Sequence, residues 1–272
     1  IEIVKRQYGG TYVTDASLLK NIKLNQFYGY EIDNTSAMIA EVSMWLAEHQ
    51  MNMVLESEFG SVVPTIPLNE GAIIKSDNAL QIEWNVRAKF DINTGADMHP
   101  SFNFILGNPP FIGKQLQTTE QKADMKLVFK NVKGAGVLDY VAAWYIKAAQ
   151  YNQVHPSTKI GLVSTNSITQ GEQPGILWNE LFNNYKMKMI YAHRTFKWHN
   201  EAEGVAAVHC VIIGFTMNNG NIPKTKPLFD YTSVDSEPKK INAKNINPYL
   251  VNAPDVVVLK RRKPLCDISE IS

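Results

Sequence analysis

An α/β fold, with a mostly parallel sheet, helices on both faces and one antiparallel edge hairpin, is predicted by three observations. Apolar runs of strand length alternate with segments of helical spacing from Gln26 to Phe182. Several of these runs end in polar or acidic residues followed by turn formers, as strands do when they deliver a loop at their carboxyl ends. The last two runs, Met187–Ala192 and Val205–Thr216, are joined too closely for a crossover helix, which makes that pair antiparallel.

Composition permits such a fold. The chain has 272 residues, 44% of them hydrophobic, enough for one large domain or for one domain with part of a second. A net charge of +1 with 19% charged residues announces no strongly acidic or basic partner, so a nucleic-acid role needs a local patch. The two cysteines, Cys210 in an apolar run and Cys266 near the end, form neither a disulfide framework nor a metal pair, which suits a reducing cytoplasm. The six histidines show no metal spacing and read as structural or exposed. No signal peptide, transmembrane run, lipidation motif or repeat is evident.

In chain order, Ile1–Gln7 resembles the tail of a helix ended by Tyr8-Gly9-Gly10, so the chain is expected to begin inside a domain. Gln26–Asp33 is a short strand with an acidic tip. A helix follows, capped by Asp33 or Asn34, with Ile39, Val42 and Leu46 along one face and Met38 and Trp45 widening it. Residues 54–71 read as a loop, Ala72-Ile73-Ile74 as a small strand ending at Lys75-Ser76-Asp77-Asn78-Ala79-Leu80, and Trp84–Pro100 as irregular.

Phe102–Leu106 reads as a buried strand, and Gly107-Asn108-Pro109-Pro110-Phe111 turns sharply out of it. Two successive prolines fix φ and remove two donors, so neither strand nor helix continues at once. The turn therefore offers the Asn108 side chain, the carbonyls of Asn108 and Pro109, and an aromatic ring. Two in-plane acceptors and one π face suit a planar amino group.

Residues 113–134, rich in Lys, Gln and Thr, read as a mobile, partly helical loop, a frequent form for a lid. Leu138, Val141, Ala142, Tyr145 and Ala149 then follow helical spacing, and Lys159–Asn166 is the next buried strand. Pro174 starts a helix carrying Ile176, Leu177, Leu181 and Phe182. His193–Gly204 reads as a loop holding Phe196 and Trp198, and residues 218–248 as a linker. A basic cluster, Lys260-Arg261-Arg262-Lys263, follows Val256–Leu259. Its plain reading is a solvated end and its sharper one a phosphate contact.

The order of the Glu31 strand, Asp77-Asn78-Ala79-Leu80, Gly107-Asn108-Pro109-Pro110-Phe111, Leu138-Asp139-Tyr140, Ser164-Thr165-Asn166 and Phe196-Lys197-Trp198 resembles the γ-class amino-methyltransferases of DNA. More narrowly it is similar to the methyltransferase domain of MmeI-like (type IIG/IIL) bifunctional restriction–modification enzymes, and the likeness covers roughly Phe27 to Phe215. The Asn-Pro-Pro-Phe turn alone fits amino-methyltransferases of protein glutamine or RNA as well. Phe196-Lys197-Trp198 and the Ala206–Gly214 strand narrow it to DNA.

The resemblance implies a Rossmann-like sheet dependent on S-adenosylmethionine, double-stranded DNA as partner, and adenine as the methylated base. Asn108 and Pro109 would accept the two amino hydrogens of the exocyclic nitrogen, freeing its lone pair for the methyl group. Pro110 would stiffen the turn, and Phe111 would stack on a base taken out of the duplex, with Phe196 or Trp198 closing the other side. Glu31, next to Ile32, would hold the ribose hydroxyls of the cofactor, and Asp77 or Asn78, with Ala79, its adenine edge. Each has a plain alternative: Glu31 as a solvated acid before a helix, Asp77 and Asn78 as turn formers, Asp139 as a helix N-terminal acid, and Phe196 with Trp198 as core aromatics. No metal is implied.

The resemblance further implies a catalytic domain over residues 1–217, with 218–272 as linker and start of a target-recognition module. The glycine-rich cofactor motif and the first strand of the family are not recognisable here, and Gly9-Gly10 does not replace them. The expectation is that the chain alone binds cofactor weakly or not at all and is inactive by itself. The Glu31 strand would then pair with the Asn108 strand, stay apart, or borrow a strand from another molecule. Two other classes remain open, an amino-methyltransferase of protein or RNA and a non-catalytic binding module on a degenerate methyltransferase fold.

Overall fold

The computed structural model describes residues 22–59, 71–84, 89–91, 96–98, 101–198, 208–233 and 236–260. The expected helix tail before Gly10, the 60–70 part of the expected loop, the basic residues after Lys260 and Cys266 lie outside them. The fold is mixed α/β in two compact units, Ile1–Trp84 and Asn85–Ser272.

In the first unit, strands β1 (Tyr28–Glu31) and β2 (Ile73–Ser76) pair in parallel, from Tyr28 opposite Ile73 to Glu31 opposite Ser76. Between them in sequence lies helix α1 (Asn34–Phe59). Asp33 is its cap: Oδ1 accepts from the Ser36 amide at 2.7 Å and the Ser36 hydroxyl at 2.9 Å, and those bonds hold its carboxyl below the usual range. Two findings correct the sequence reading here. The helix runs on to Phe59, taking in the first residues of the expected loop. The expected core stripe is turned outward, with Ile39 60% and Leu46 57% exposed, while Ala37 and Asn52 are buried. Two four-residue strands can cover only a narrow strip of so long a helix, and the strip they cover is not the one richest in Ile, Val and Leu.

The second unit holds a six-stranded sheet in the order β10-β9-β7-β8-β6-β5, made of β5 (Phe104–Gly107), β6 (Lys159–Thr165), β7 (Met187–Trp198), β8 (Val208–Met217), β9 (Lys226–Asp230) and β10 (Lys239–Ala243). Parallel pairs are β5 with β6 and β7 with β9. Antiparallel pairs are β6 with β8, β7 with β8, and β9 with β10. The sheet is therefore not mostly parallel. The β7–β8 hairpin forms as its short connection requires, but β8 inserts between β6 and β7, placing the hairpin in mid-sheet rather than at an edge. The edges are β5 and β10.

β5 is accordingly not a buried strand: Phe104 is 64% and Leu106 79% exposed. An all-apolar run of four residues does not distinguish an edge from a centre. Residues 218–248, expected as linker, contribute β9 and β10 to the same sheet. Within the expected irregular stretch 84–100, β3 (Lys89–Asp91) and β4 (Ala96–Met98) form a separate antiparallel pair. Within 113–134, helix α2 (Thr119–Phe129) carries a capping box in which Thr118 and Gln121 bond each other's amides, and it buries Met125, Val128 and Phe129.

Helices α3 (Ala142–Val154) and α4 (Gln173–Asn183) form where their spacing and Pro174 place them. On the sheet face they cover, the Tyr145 ring lies flat on Phe215 with centroids 5.2 Å apart, and Trp178 meets both edge-on. The polar atoms of this core are matched. The Tyr145 and Ser164 hydroxyls are 2.7 Å apart, and Trp178 Nε1 donates to the Ile168 carbonyl. Asn152, fully buried, donates to the carbonyls of His155 and Thr158 and accepts from the Met217 amide, tying the end of α3 to the ends of β6 and β8. The start of β5 is held by the Tyr151 hydroxyl, which accepts from the Phe102 amide, and by the Thr158 hydroxyl, which donates to the Phe102 carbonyl.

Candidate functional site

The carboxyl end of β5 becomes the Asn108 turn. Gly107 faces Leu162 across the parallel pair, and a Cβ there would come within 3.2 Å of Leu162 Cδ2, so the close approach of β5 to β6 at this point favours glycine. Pro109 is buried while Asn108 and Pro110 are exposed and Phe111 is half-buried. The Ile112 amide closes back on the Pro110 carbonyl at 3.2 Å. The exposed Asn108 side chain makes no hydrogen bond with the described residues, and the next residue of the turn, Pro109, is buried.

The segment after the turn is clamped to Leu138-Asp139-Tyr140. Tyr140 donates its amide to the Ile112 carbonyl at 2.9 Å, and Gln117 Nε2 donates to the Leu138 carbonyl at 3.0 Å. Asp139, whose plain reading is a helix N-terminal acid, lies three residues before the start of α3 and is also a buried carboxylate that accepts from the Thr165 hydroxyl at 3.2 Å, at the end of β6. Its own amide donates to Gln173 Oε1. The Tyr140 hydroxyl donates to buried Asp124 at 2.7 Å, and burial followed by the neighbouring carboxylate pushes its pKa upward. Asn166, next after Thr165, opens the short 3-10 turn Asn166–Thr169.

Phe196 and Trp198 lie on β7, not in a loop, because β8 continues to pair with β7 up to Trp198 opposite Val208. Phe196 is opposite Cys210, and Cys210 is opposite Thr165, so a row crosses the sheet from β6 to β7 at the end where the Asn108 turn emerges. Three strand spacings separate β5 from β7, about 14 Å. Trp198 is 40% exposed, Phe196 is half-buried, and their ring centroids are 6.1 Å apart. Cys210, opposite Phe196 on β8, is buried, and its thiol is pushed up to about 11 by desolvation, which keeps it a neutral packing residue.

In the first unit, Glu31 and Asp77 meet at the common end of the parallel pair, where the Asp77 amide donates to the Glu31 carbonyl at 2.9 Å. Glu31 Oε1 accepts from the Ile32 amide at 3.0 Å and more loosely from that of Asp33, while its second carboxylate oxygen accepts nothing from the described residues. Asp77 Oδ1 accepts from the Asn78 amide, and Asn78 Oδ1 from the Leu80 amide, both at 2.9 Å. Ala79 offers its carbonyl to Trp84 Nε1. Ile32 is exposed and Leu80 is buried.

Sequence reasoning missed the surroundings of Phe196. Tyr231 stacks on it and His193 reaches Tyr231, yet Tyr231 lies in the stretch read as linker. The available signal was the short apolar run Pro227-Leu228-Phe229, masked by its proline and by flanking Lys226 and Asp230. Among the described residues no group of His, Cys, Asp or Glu is placed to hold a metal ion, and no helix is long and apolar enough to cross a membrane.

Comparisons with known proteins agree with one another. A sequence profile described as MmeI, DNA-methyltransferase domain, matches residues 1–230. The chain is 36% identical over 274 residues to DNA methyltransferase A of Bacillus subtilis (strain 168), covering 100% of this chain and 29% of that protein. A solved structure of the Type IIL restriction-modification enzyme MmeI in complex with DNA matches with a TM-score of 0.82 and 47% identity, over 96% of this chain and 33% of that one. The chain thus spans 29% and 33% of the lengths of these two relatives.

Proposed function

The chain belongs to the family of MmeI DNA-methyltransferase domains, and from that premise we propose that it methylates the exocyclic amino nitrogen of an adenine flipped out of double-stranded DNA, with S-adenosylmethionine as donor. The observation that carries this reading is the Asn108 turn: an exposed side chain with an acceptor oxygen and no competing described partner, next to a buried proline, at the carboxyl end of a strand. Adenine's amino nitrogen is a poor nucleophile because its lone pair is delocalised into the ring. Asn108 Oδ1 and the Pro109 carbonyl would draw both amino hydrogens into fixed acceptors and favour a pyramidal nitrogen, and a stiff turn does this without reorganisation. Phe111 and the Phe196–Trp198 pair would supply π surfaces to hold the flipped base.

The acidic strand ends fit the donor. Rossmann-like sheets bind nucleotides beyond the carboxyl ends of parallel strands, and Glu31 and Asp77 occupy that place in β1 and β2. Glu31 retains a carboxylate oxygen for a ribose hydroxyl, with Ile32 beside it. Asp77 suits the adenine edge better than Asn78: one of its two carboxylate oxygens accepts from the Asn78 amide and the other remains, whereas the single side-chain oxygen of Asn78 holds the Leu80 amide. When bound, S-adenosylmethionine supplies an electrophilic methyl on sulfonium. The chain's own part is to hold that group, seat the base and orient the amino hydrogens.

This assignment is tested by calorimetry with S-adenosylmethionine on the full-length protein. Glu31→Ala is expected to weaken binding roughly 10- to 100-fold, the worth of a charge-assisted hydrogen bond to a ribose. Wild-type affinity in a folded variant would remove Glu31 from the cofactor site.

A further inference from the structure

The base-stacking role proposed for Phe196 and Trp198 leaves unexplained how two aromatic side chains on a half-exposed stretch of β7 are held in one orientation. Between His193 and Phe196 the pairing of β7 with β8 slips. Residues three apart on a regular strand point to opposite faces, yet the rings of His193 and Phe196 are 6.2 Å apart. The irregularity has re-aimed Phe196, and Trp198 two residues on, to the side on which His193 lies. β9 has been laid alongside at that place, with His193 opposite Phe229.

The rings there form a chain of contacts. His193 lies flat on Phe229, with centroids 4.3 Å apart and planes at 4°. Its Nδ1 is 2.6 Å from the Tyr231 hydroxyl. The Tyr231 ring stacks on Phe196 at 5.5 Å and 27°. The backbone carrying Tyr231 is fixed in turn, since Asp230 accepts from the Tyr231 amide at 3.0 Å and pairs with Arg194 of β7 at 2.9 Å. One face of Phe196 is therefore already covered by a ring that hydrogen bonds hold at its hydroxyl and at its amide.

We propose that Tyr231, anchored by His193, is a positioning residue for target-base stacking: it covers one face of Phe196 so that the flipped adenine is received on the remaining face and on Trp198. This rests on the adenine-methylation reading and extends it to a residue in β9's trailing turn. Burial lowers the pKa of His193 and raises that of Tyr231. At neutral pH both partners of this hydrogen bond are thus uncharged, an anchor that carries no charge into the stacking surface.

The test uses the full-length protein, plasmid DNA for kinetics, and a duplex with 2-aminopurine at the adenine found methylated in that plasmid. Tyr231→Ala should lower kcat about tenfold, leave KM for DNA within about twofold, and raise the 2-aminopurine signal as the base loses its ordered stack. Tyr231→Phe keeps the ring and loses the anchor, so it should fall between wild type and Tyr231→Ala in both readings. If both variants match wild type in kcat and fluorescence, or lose only melting temperature, the inference is overturned while adenine methylation stands. If wild type leaves no N6-methyladenine in the plasmid, the reading beneath it fails as well.

Discussion

Asn108→Ala in the full-length protein is expected to lower adenine methylation by about 100- to 1000-fold while duplex binding stays within about twofold. That is the scale lost when one preorganised hydrogen-bonding partner of a reacting group is removed. The effect should fall on kcat, because the proposed Asn108 interaction matters most where the amino nitrogen leaves planarity. Stability should hardly move: the side chain is exposed and has no hydrogen-bond partner among the described residues, and such surface changes stay within about 0.5 kcal/mol. Unchanged melting with lost methylation supports the role, and retained methylation removes it.

The second large effect is expected at Trp198. Base-on-aromatic stacking is worth ~1–3 kcal/mol by alanine substitution, so Trp198→Ala should reduce methylation by roughly 5- to 150-fold and raise the fluorescence of 2-aminopurine at the target base. Trp198 is 40% exposed, so little core is lost and melting should change little. Phe196→Ala should move both readings, since Phe196 is half-buried and stacked on Tyr231. Fluorescence identical to wild type in both variants would show that neither ring touches the base.

Much of the local structure was legible in the sequence. The acidic tip of β1 and its Asp33 cap and the glycine and prolines that end β5 act through neighbours close in sequence and appear where expected, while the helix expected from Leu138 begins only at Ala142. Features set by distant partners were not legible. An apolar stripe on α1 is exposed because a narrow two-stranded sheet packs elsewhere on the helix. Polar His193-Arg194-Thr195 reads as a loop, yet pairing with β8 and β9 carries the strand through it to Trp198. Pro227 and the surrounding lysines and asparagines hide β9 and β10, whose hydrogen bonds come from the sheet rather than from local preference. The same reason kept Tyr231 out of sight.

At the site, the residue types and their order were legible, while their supports were not. Asp139 illustrates this. As a letter in the sequence it is an acid near a helix start, and only the fold brings it to the Thr165 hydroxyl behind the Asn108 turn. A carboxylate can hold its place by capping, pairing or hydrogen bonding, and the sequence does not say which.

Nucleoside analysis tests most directly the proposed methylation of adenine in DNA at the Asn108 turn. Full-length protein is incubated with unmethylated plasmid DNA and methyl-labelled S-adenosylmethionine, and the DNA is digested and separated by mass. Label is expected in N6-methyladenine, and its loss is expected with Asn108→Ala. Label in methylcytosine, or in protein or RNA with none in adenine, would contradict it.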